Sequence, residues 1–476
     1  MFKTFLILFS ISGLFSLYIF SSIQPVFAQT QVEILRPVDR LVGADSPLGP
    51  VRKLIGNVEL RTENLHIIAD SAYQYLEVDL IEAFGNIQIE TERQLIWADR
   101  VRYNLTQDAS HFTGRVIVKT RESTIYSEEL FYDFIFEIAE FPQLVRFEDE
   151  NGILTANSGI YFSLTDSSSF HGNVQLFDAT QYAEADSLIA IRSIDFAELR
   201  GNVYLEDLEN NASITGDFSR SDSTGFREVI GNARLQRIND AQTDTTHLSA
   251  HRVVFLETDT SNVVNAYDQV SIWSKNYAAL SDSSQFDDTN DLFYLFGNAR
   301  LWQKELQLSS SEIEITIESD EIDQLLSTGG SCFVLPDSIT SRFNQIEGDS
   351  LLMYFFEGDI SNLEVFPNAE MVVHNKDEDD NPEDAIRLSA RKIIMYFSEG
   401  DIDSMRVLQS IDGQFIPEAQ NPSEIRLEGF IYEPENKPQR PLFWLRPRLG
   451  PISEDFPFDL PRRFIQYMEE NQPTND

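Results

Sequence analysis

The stretches Ile67-Ile-Ala-Asp-Ser-Ala-Tyr-Gln-Tyr75 and Ala83-Phe-Gly-Asn-Ile-Gln-Ile89 contain the two markers on which the fold depends. One marker is the Gly-Asn step at 85–86, and the other is the Ala-Asp step at 69–70. The first marker, weaker variants included, recurs at starts that lie 28 to 37 residues apart: Gly56, Gly85, Gly114, Pro142, Gly172, Gly201, Gly231, Asp268, Gly297, Gly330 and Pro367. In many of these repeats the second marker lies about 14 residues after the first. Two markers alternating at a fixed spacing indicate a tandem array.

Each half-repeat is predicted to be a β-strand, because apolar residues alternate after both markers. Examples are Val58-x-Leu60 and Ile87-x-Ile89 after the first marker and Val101-x-Tyr103 after the second. Strands are expected to start at the markers, and the Gly-Asn step suits a bend or bulge that needs positive φ. The predicted fold is all-β: an elongated β-jellyroll or β-solenoid of stacked antiparallel strands built from tandem repeats of about 29 residues. Residues 50–415 should contain no helix longer than two turns.

The chain is divided by its composition into four parts. Residues 1–28 form a predicted signal peptide, with Lys3, an apolar run from Phe5 and the small-residue exit Val26-Phe-Ala28. The regular repeats span 29–245, and irregular repeats with loop insertions span 246–415. Residues 416–476 form a Pro/Arg-rich tail, predicted as an extended arm with a short helix around 463–470. An uncut leader remains the alternative, since residues 4–28 carry no charge and are long enough to span a bilayer.

Composition excludes several function classes. With 36 basic against 78 acidic residues the net charge is −42, so binding to bare nucleic acid or an anionic bilayer by counterion release is not expected. One cysteine and six histidines leave little material for a metal centre. His247 and His251 are predicted to be surface residues on a strand, too far apart to share an ion. Nucleophile-elbow, phosphate-loop and dinucleotide motifs are absent from the sequence, so no enzymatic activity, cofactor or metal is expected.

The two marker strands and the signal peptide together resemble the OstA/LptA-type proteins of lipopolysaccharide transport. The resemblance is best over residues 56–132 and extends more loosely to about residue 410. It implies a jellyroll folded into a V-shaped groove whose apolar lining holds the acyl chains of lipopolysaccharide (lipid A). It also implies a periplasmic location, associated with the outer membrane, and open end strands that join partner jellyrolls head to tail. This chain is longer and more acidic than compact members of that family and carries the additional tail.

The alternating apolar residues are the candidate lipid-binding groove liners: Val58, Leu60, Ile87, Ile89, Val116, Val118, Val174, Leu176, Val203 and Leu205. Alternation alone favours a closed core in which these side chains meet one another, and only the resemblance favours the open groove. The function predicted from the residues and the resemblance is a non-enzymatic periplasmic lipid-binding bridge in lipopolysaccharide transport and outer-membrane assembly. The alternative is a structural or adhesive β-solenoid scaffold at the cell envelope. A β-helical carbohydrate-active enzyme is the weakest of the three, because the acids lie scattered in turns.

The leader prediction can be tested directly. Protein isolated from the periplasmic fraction of its host is expected to begin at Gln29, because cleavage follows the small residues Val26 and Ala28. Amino-terminal sequencing makes the measurement. A chain that begins at Met1 and fractionates with membranes would establish the uncut anchor instead.

Overall fold

The computed structural model describes residues 32–239, 242–258, 260–318, 321–337, 340–377, 379, 381–398, 401–420, 424–441, 449 and 458–471. The predicted signal peptide therefore lies outside the described residues. Among the helices that are described, none combines the length and apolarity needed to cross a membrane.

The first half of the chain is a succession of antiparallel strands. Their bounds are β1 (Glu33–Ile34), β2 (Arg40–Ser46), β3 (Gly49–Arg61), β4 (His66–Tyr75), β5 (Leu80–Glu90), β6 (Leu95–Asn104), β7 (Ala109–Lys119), β8 (Ser123–Asp133), β9 (Ile138–Phe141), β10 (Val145–Asp149), β11 (Ile153–Ala156), β12 (Ser158–Phe162), β13 (Ser167–Phe177), β14 (Gln181–Ile191) and β15 (Phe196–Asp207).

The second half continues in the same way and ends in a helix. Its elements are β16 (Ala212–Ser221), β17 (Phe226–Ile238), β18 (Thr245–Thr258), β19 (Ser261–Trp273), β20 (Ala278–Asp287), β21 (Leu292–Gln303), β22 (Leu306–Glu318), β23 (Glu321–Pro336), β24 (Phe343–Phe356), β25 (Asp359–Phe366), β26 (Ala369–Lys376), β27 (Pro382–Ala390), β28 (Lys392–Ser398), β29 (Asp401–Leu408), β30 (Asp412–Pro417) and α1 (Arg462–Glu470). The all-β prediction is confirmed. Within 50–415 the described helix is a three-residue 3-10 turn at Arg192–Ile194. The predicted short helix near the carboxyl end is also found.

The expectation that strands start at the markers is wrong, because both markers lie in the middle of strands. Gly85 and Asn86 sit inside β5, and Asp70 sits inside β4. Between the two strands the register shifts at this point, from Ile68 opposite Gln88 to Ser71 opposite Phe84. Each marker pair is therefore the corner at which a long strand bends, and a half-repeat is one arm of a bent strand rather than a whole strand.

The corner explains why the markers recur together. Gly85 has φ +74° and Asn86 has φ +45°, two left-handed residues in succession. The Asp70 carboxylate lies over Gly85 and accepts a hydrogen bond of 2.7 Å from the Asn86 side-chain amide. A Cβ at Gly85 would lie 2.6 Å from Asp70 Oδ2, so a larger residue does not fit. The same arrangement joins Asp39 to Gly56, Asp99 to Gly114, Asn157 to Gly172, Asp186 to Gly201, Asp217 to Gly231 and Asp282 to Gly297.

The corners divide the sheet into two leaves. Leaf 1 consists of the arms that precede the glycine in strands such as β5 (residues 80–84) together with the arms paired to them. Leaf 2 consists of the arms that follow the glycine (residues 87–90 in β5) and their partners. Neighbouring long strands pair along both arms from β3 to β8 and from β13 to β24. In between, the arms are separate strands, with β9 and β12 in leaf 1 and β10 and β11 in leaf 2.

The leaves also separate at the two ends of the sheet. At the amino end β2 pairs with β3 in leaf 1, and the two-residue β1 pairs with it in leaf 2. At the carboxyl end leaf 1 finishes with β25, β28 and β29, whereas leaf 2 finishes with β26, β27 and β30. The inward side chains of both leaves form the core.

The carboxyl-terminal tail returns along the outer face of leaf 2. Near β26 the Leu427 side chain packs on Val372 and Ala385. Gln307 of β22 donates to the Ile431 carbonyl and accepts from the Glu433 N–H. Arg440 then lies over Trp273, and the Leu449 N–H donates to Glu184.

The tail ends where α1 docks near the amino end of the sheet. Phe464 packs on Trp97, Ile117 and Tyr126, which all face outward and are nevertheless buried. The Trp97 and Phe464 rings are 4.9 Å apart in an edge-to-face arrangement. Consecutive apolar residues such as Ile96-Trp97 and Val116-Ile117-Val118 are the sequence signal for a strand buried on both faces. The described parts of the tail thus contact leaf 2 at points from near its carboxyl end to near its amino end.

Replacing the corner glycine should destabilise the sheet. We expect Gly85→Ala to cost about 1–3 kcal/mol, because alanine disfavours φ +74° and its Cβ would collide with Asp70. Gly43→Ala in β2 is the matched control, since a Cβ there meets nothing within 4 Å. Thermal unfolding followed by circular dichroism measures both. Equal melting temperatures for the two variants would refute this account of the corner.

A second prediction concerns His374, which faces outward from β26 and is buried beneath the tail. Burial, assisted by nearby Arg342 and Arg426, lowers its pKa to about 4, whereas an unfolded histidine titrates near 6.5. Because the unfolded chain binds the additional proton, stability should fall as the pH drops from 6.5 towards 4, by about 3 kcal/mol from this residue.

The comparison uses the same substitution at a buried and an exposed histidine. His374→Phe should flatten the dependence of the melting temperature on pH between 6.5 and 4. His251→Phe, at an exposed position of β18, should leave that dependence as in the parent. Parallel curves for the parent and His374→Phe would contradict the prediction.

Candidate functional site

The candidate site is the apolar seam, defined as the inward side chains of both leaves. Val58, Leu60, Ile87, Ile89, Val116, Val118, Val174 and Val203 are at most 2% exposed and belong to one cluster. Leu176 and Leu205 pack against that cluster and are partly exposed. The structure therefore brings all ten candidate liners into the seam, where they contact inward side chains of the facing leaf. Contact of any of them with lipid stays a prediction.

The seam continues through both halves of the sheet. The first cluster extends from Leu54 to Val203, and the second extends from Ile214 to Met395. Leu205 packs against both clusters and joins them. The strand pairing between β15 and β16 is unbroken at this junction. A mainly apolar interior thus runs along the array, with buried serines at single inward positions, among them Ser219, Ser284 and Ser327.

The middle of the seam is more accessible to solvent than its amino end. Towards the amino end, inward residues such as Ile67, Ile81 and Ile96 are fully buried. Around β14 and β15 the inward positions are instead partly exposed: Leu176, Ala183, Ala190, Ala197 and Leu205. Alanine occupies inward positions here that carry larger side chains elsewhere, so facing side chains leave space. The alanines at these inward positions were the sequence signal for this opening. The predicted liners were chosen among alternating valine, leucine and isoleucine residues, so the prediction did not include the alanines.

The free ends of the leaves form two rims that face each other across the mouth of the seam. Rim 1 consists of the leaf 1 turns, which include 76–79, 105–108, 134–137, 163–166, 192–195, 288–291 and 357–358. Successive turns of rim 1 are joined by backbone bonds, for example from the Phe134 N–H to the Asp108 carbonyl at 2.9 Å. Rim 2 consists of the leaf 2 turns such as 62–65, 91–94 and 149–152.

Tyrosines close the seam just inside rim 1. The Tyr103 hydroxyl donates to Asp108 at 2.6 Å, and the Tyr161 hydroxyl donates to Asp166 at 3.0 Å. Burial raises the pKa of Tyr161 to about 12, and it also raises the pKa of Tyr103 and Tyr132. All three therefore remain neutral hydrogen-bond donors at physiological pH, with their rings on the apolar side and their hydroxyls at the mouth.

Polar contacts join rim 1 to rim 2 across the mouth, and we term them clasps. The first three link Asn64 to Asp108 at 2.7 Å, Arg93 to Glu137 at 2.6 Å and Arg192 to Asp149 at 2.5 Å. Further along, Arg227 bonds Gln181 at 3.2 Å, Arg237 pairs with Asp288 at 3.4 Å, and Gln303 donates to the Gly358 carbonyl at 2.7 Å beside the pair Lys304–Asp359. The partners lie far apart in sequence, and no motif predicted them.

The histidine prediction is corrected in one respect. His247 is buried at 6% exposure beside Trp273, so it is not a surface residue, whereas His251 is exposed. Burial, with nearby Arg440, lowers the pKa of His247. Over the described ranges, histidine, cysteine and carboxylate side chains form no group of three placed to hold a metal ion. Cys332 is buried under the tail, where burial raises the pKa of its thiol to about 12.

Comparison with known proteins finds a family model that matches the amino-terminal part of the chain. Residues 29–186 match the family model described as OstA-like protein. The resemblance that the repeat motifs indicated is therefore confirmed over this segment. Among curated proteins nothing matches the chain.

Two solved structures have limited similarity to the chain. LptH of Pseudomonas aeruginosa, described as the LptA homologous periplasmic component of the conserved lipopolysaccharide transport device, is 12% identical, with a TM-score of 0.24. The match covers 30% of this chain and 95% of LptH. The WD40 domain of SCAP from fission yeast is 9% identical over 82% of this chain and 90% of its own, with a TM-score of 0.11. These scores are too low to support an argument, so the fold rests on the chain's own strand pairing.

Proposed function

We propose that this protein is a non-enzymatic periplasmic bridge that binds lipopolysaccharide through its acyl chains and serves outer-membrane assembly. The observation that carries the proposal is the apolar seam, which continues from Leu54 to Met395 and is partly open around Ala190 and Leu205. The OstA-like match over residues 29–186 supports the same function. An interior of this length suits elongated apolar ligands rather than a compact substrate.

The charge of the chain determines which part of the lipid carries the affinity. Lipopolysaccharide head groups are anionic, and so is this chain, with a net charge of −42. Bulk electrostatic repulsion therefore opposes binding, although screening limits that repulsion to about 8–10 Å at physiological salt. Each buried CH₂ of an acyl chain contributes roughly 0.8 kcal/mol. Binding accordingly depends on acyl chains in the seam, with the head groups left outside the rims.

The open ends of the sheet are the proposed contacts with partner jellyrolls. Among the described strands, β2 at the amino end pairs with β3 alone, and its Leu41 is 57% exposed. At the carboxyl end β29 and β30 each pair with one described strand; Ile411 before β30 is 59% exposed, and Phe415 within it is 62% exposed. Free strand edges flanked by exposed apolar side chains are suited to strand addition by another sheet.

The proposal predicts that lipid occupies the open middle of the seam. We expect Ala190→Trp to reduce the lipid that copurifies with the protein several-fold, because an indole ring would fill the space between the leaves. Ile189→Trp is the matched control, since Ile189 is the adjacent residue, faces outward and is 40% exposed. Mass spectrometry of lipid extracted from equal amounts of folded protein makes the measurement, with circular dichroism as the check on folding.

Two results would contradict the proposal. Parent protein purified from a lipopolysaccharide-producing host without any acylated lipid would favour the scaffold function. Equal lipid in the parent and in a folded Ala190→Trp variant would show that lipid lies elsewhere on the molecule.

A further inference from the structure

We infer that acyl chains enter the seam sideways, through the mouth between the rims, where an exposed apolar row receives them and the clasps open to admit them. This inference rests on the proposed function and adds the route of loading and the residues that control it. The clasps and the apolar row are two separate features of the rims, and they occur at the same turns.

The clasps have a regular stagger. Asn64 lies in the turn between β3 and β4, and its partner Asp108 lies in the turn between β6 and β7. Arg93, between β5 and β6, reaches Glu137, between β8 and β9. At the far end Gln303, the last residue of β21, and Lys304, which follows it, reach Gly358 and Asp359 at the turn between β24 and β25. Every one of these contacts joins rim turns offset by three strand positions, so the clasps are a repeated element of the array.

The chemistry of the clasps varies along the mouth. Charged or short bonds cross the mouth over β3 to β9, where inward residues such as Ile67 and Ile89 are fully buried. Over β14 to β17 one contact is the neutral acceptor Gln181 with Arg227 at 3.2 Å. The charged pair Arg192–Asp149, at 2.5 Å, lies beside the partly exposed Ala190 and Ala197, so the type of clasp does not follow the exposure of the seam.

The clasps are suited to opening because the solvent-exposed ones among them are weak. Arg93 is 66% exposed, and Arg237 and Asp288 are 48% and 45% exposed. Exposed pairs of this kind contribute little individually and are weakened by salt. A series of weak contacts holds two rims together and yet lets one section separate without disturbing the strand pairing, which lies within each leaf.

The exposed apolar row lies on rim 1 beside the clasps. Ile135 and Phe136 are 58% and 60% exposed and immediately precede the clasp residue Glu137. Ile194, at 56%, follows the clasp residue Arg192 by two positions, and Leu164, at 61%, occupies the turn between them. Large apolar side chains at the tips of successive turns form a row that continues directly into the seam. Acyl chains, the proposed occupants of the seam, are the ligands that match this row.

The test measures the rate at which fluorescently labelled lipopolysaccharide loads into delipidated full-length protein. Arg93→Ala should raise the rate about two- to fivefold, as expected from loss of one exposed ion pair. The double variant Ile135→Ser/Phe136→Ser should lower it about tenfold, because the apolar contact at the mouth is lost. Arg102→Ala is the matched control: Arg102 and Glu82 form an exposed pair at 2.9 Å within leaf 1, away from the mouth.

A cross-link decides between sideways and end-on loading. The variant Arg93→Cys/Glu137→Cys with Arg192→Cys/Asp149→Cys, treated with a short bismaleimide, fastens rim 1 to rim 2 at both ends of the apolar row. The native Cys332 is 3% exposed and should not react in the folded protein. Sideways loading predicts that the cross-linked protein loads much more slowly than the same variant capped with a monofunctional maleimide.

The outcomes separate this inference from the proposed function. Unchanged loading rates in the cross-linked, Arg93→Ala and Ile135→Ser/Phe136→Ser proteins, with normal final lipid content, would overturn sideways loading and leave lipid binding intact. A parent protein that takes up no labelled lipid at all would overturn the proposed function itself.

Discussion

The structure depends on one local constraint, the pair of left-handed residues at each corner. Gly85 and Asn86 place two positive φ angles in succession, and Asp70 of the preceding strand fills the space that a side chain at Gly85 would need. Without this bend each strand would continue straight, and the array would be a single exposed sheet. With it, the same strand contributes one arm to each leaf, and period-2 alternation directs apolar residues from both arms into one seam.

The acidic composition is compatible with this architecture because charge and apolar surface are kept apart. Asp70, Asp99 and their equivalents lie at the corners, and other acids lie at the rims and on the outer faces. The corner carboxylates are held by side-chain amides or by Arg115, so they contribute to the bend. The rim carboxylates are the acidic partners in the clasps. Salt therefore weakens the contacts across the mouth, whereas it does not weaken the apolar contacts of the interior.

The tail gives the two leaves different roles. Leaf 2 is buried on both faces along much of its length, since the tail covers Trp97, Ile117, Cys332 and Val372 on the outside. Leaf 1 has an outer face that the described part of the tail does not cover, and its rim carries the exposed apolar row. Contacts with the tail stabilise leaf 2, whereas leaf 1 has no such support from the described tail. Sideways entry of lipid, as inferred above, would therefore move leaf 1 more readily than leaf 2.

The sequence alone determined the all-β class, the repeat, the bend at Gly-Asn and the apolar set that includes Ile87 and Val116, because backbone sterics and period-2 alternation act locally. It left three features undecided. The position of the markers inside strands depends on pairing along both arms. The burial of Trp97 and His247 depends on a tail more than 150 residues away along the chain. The clasps, such as Arg93 with Glu137, depend on a three-strand stagger between the leaves. These are contacts between segments distant in sequence, and only the folding of the sheet upon itself brings them together.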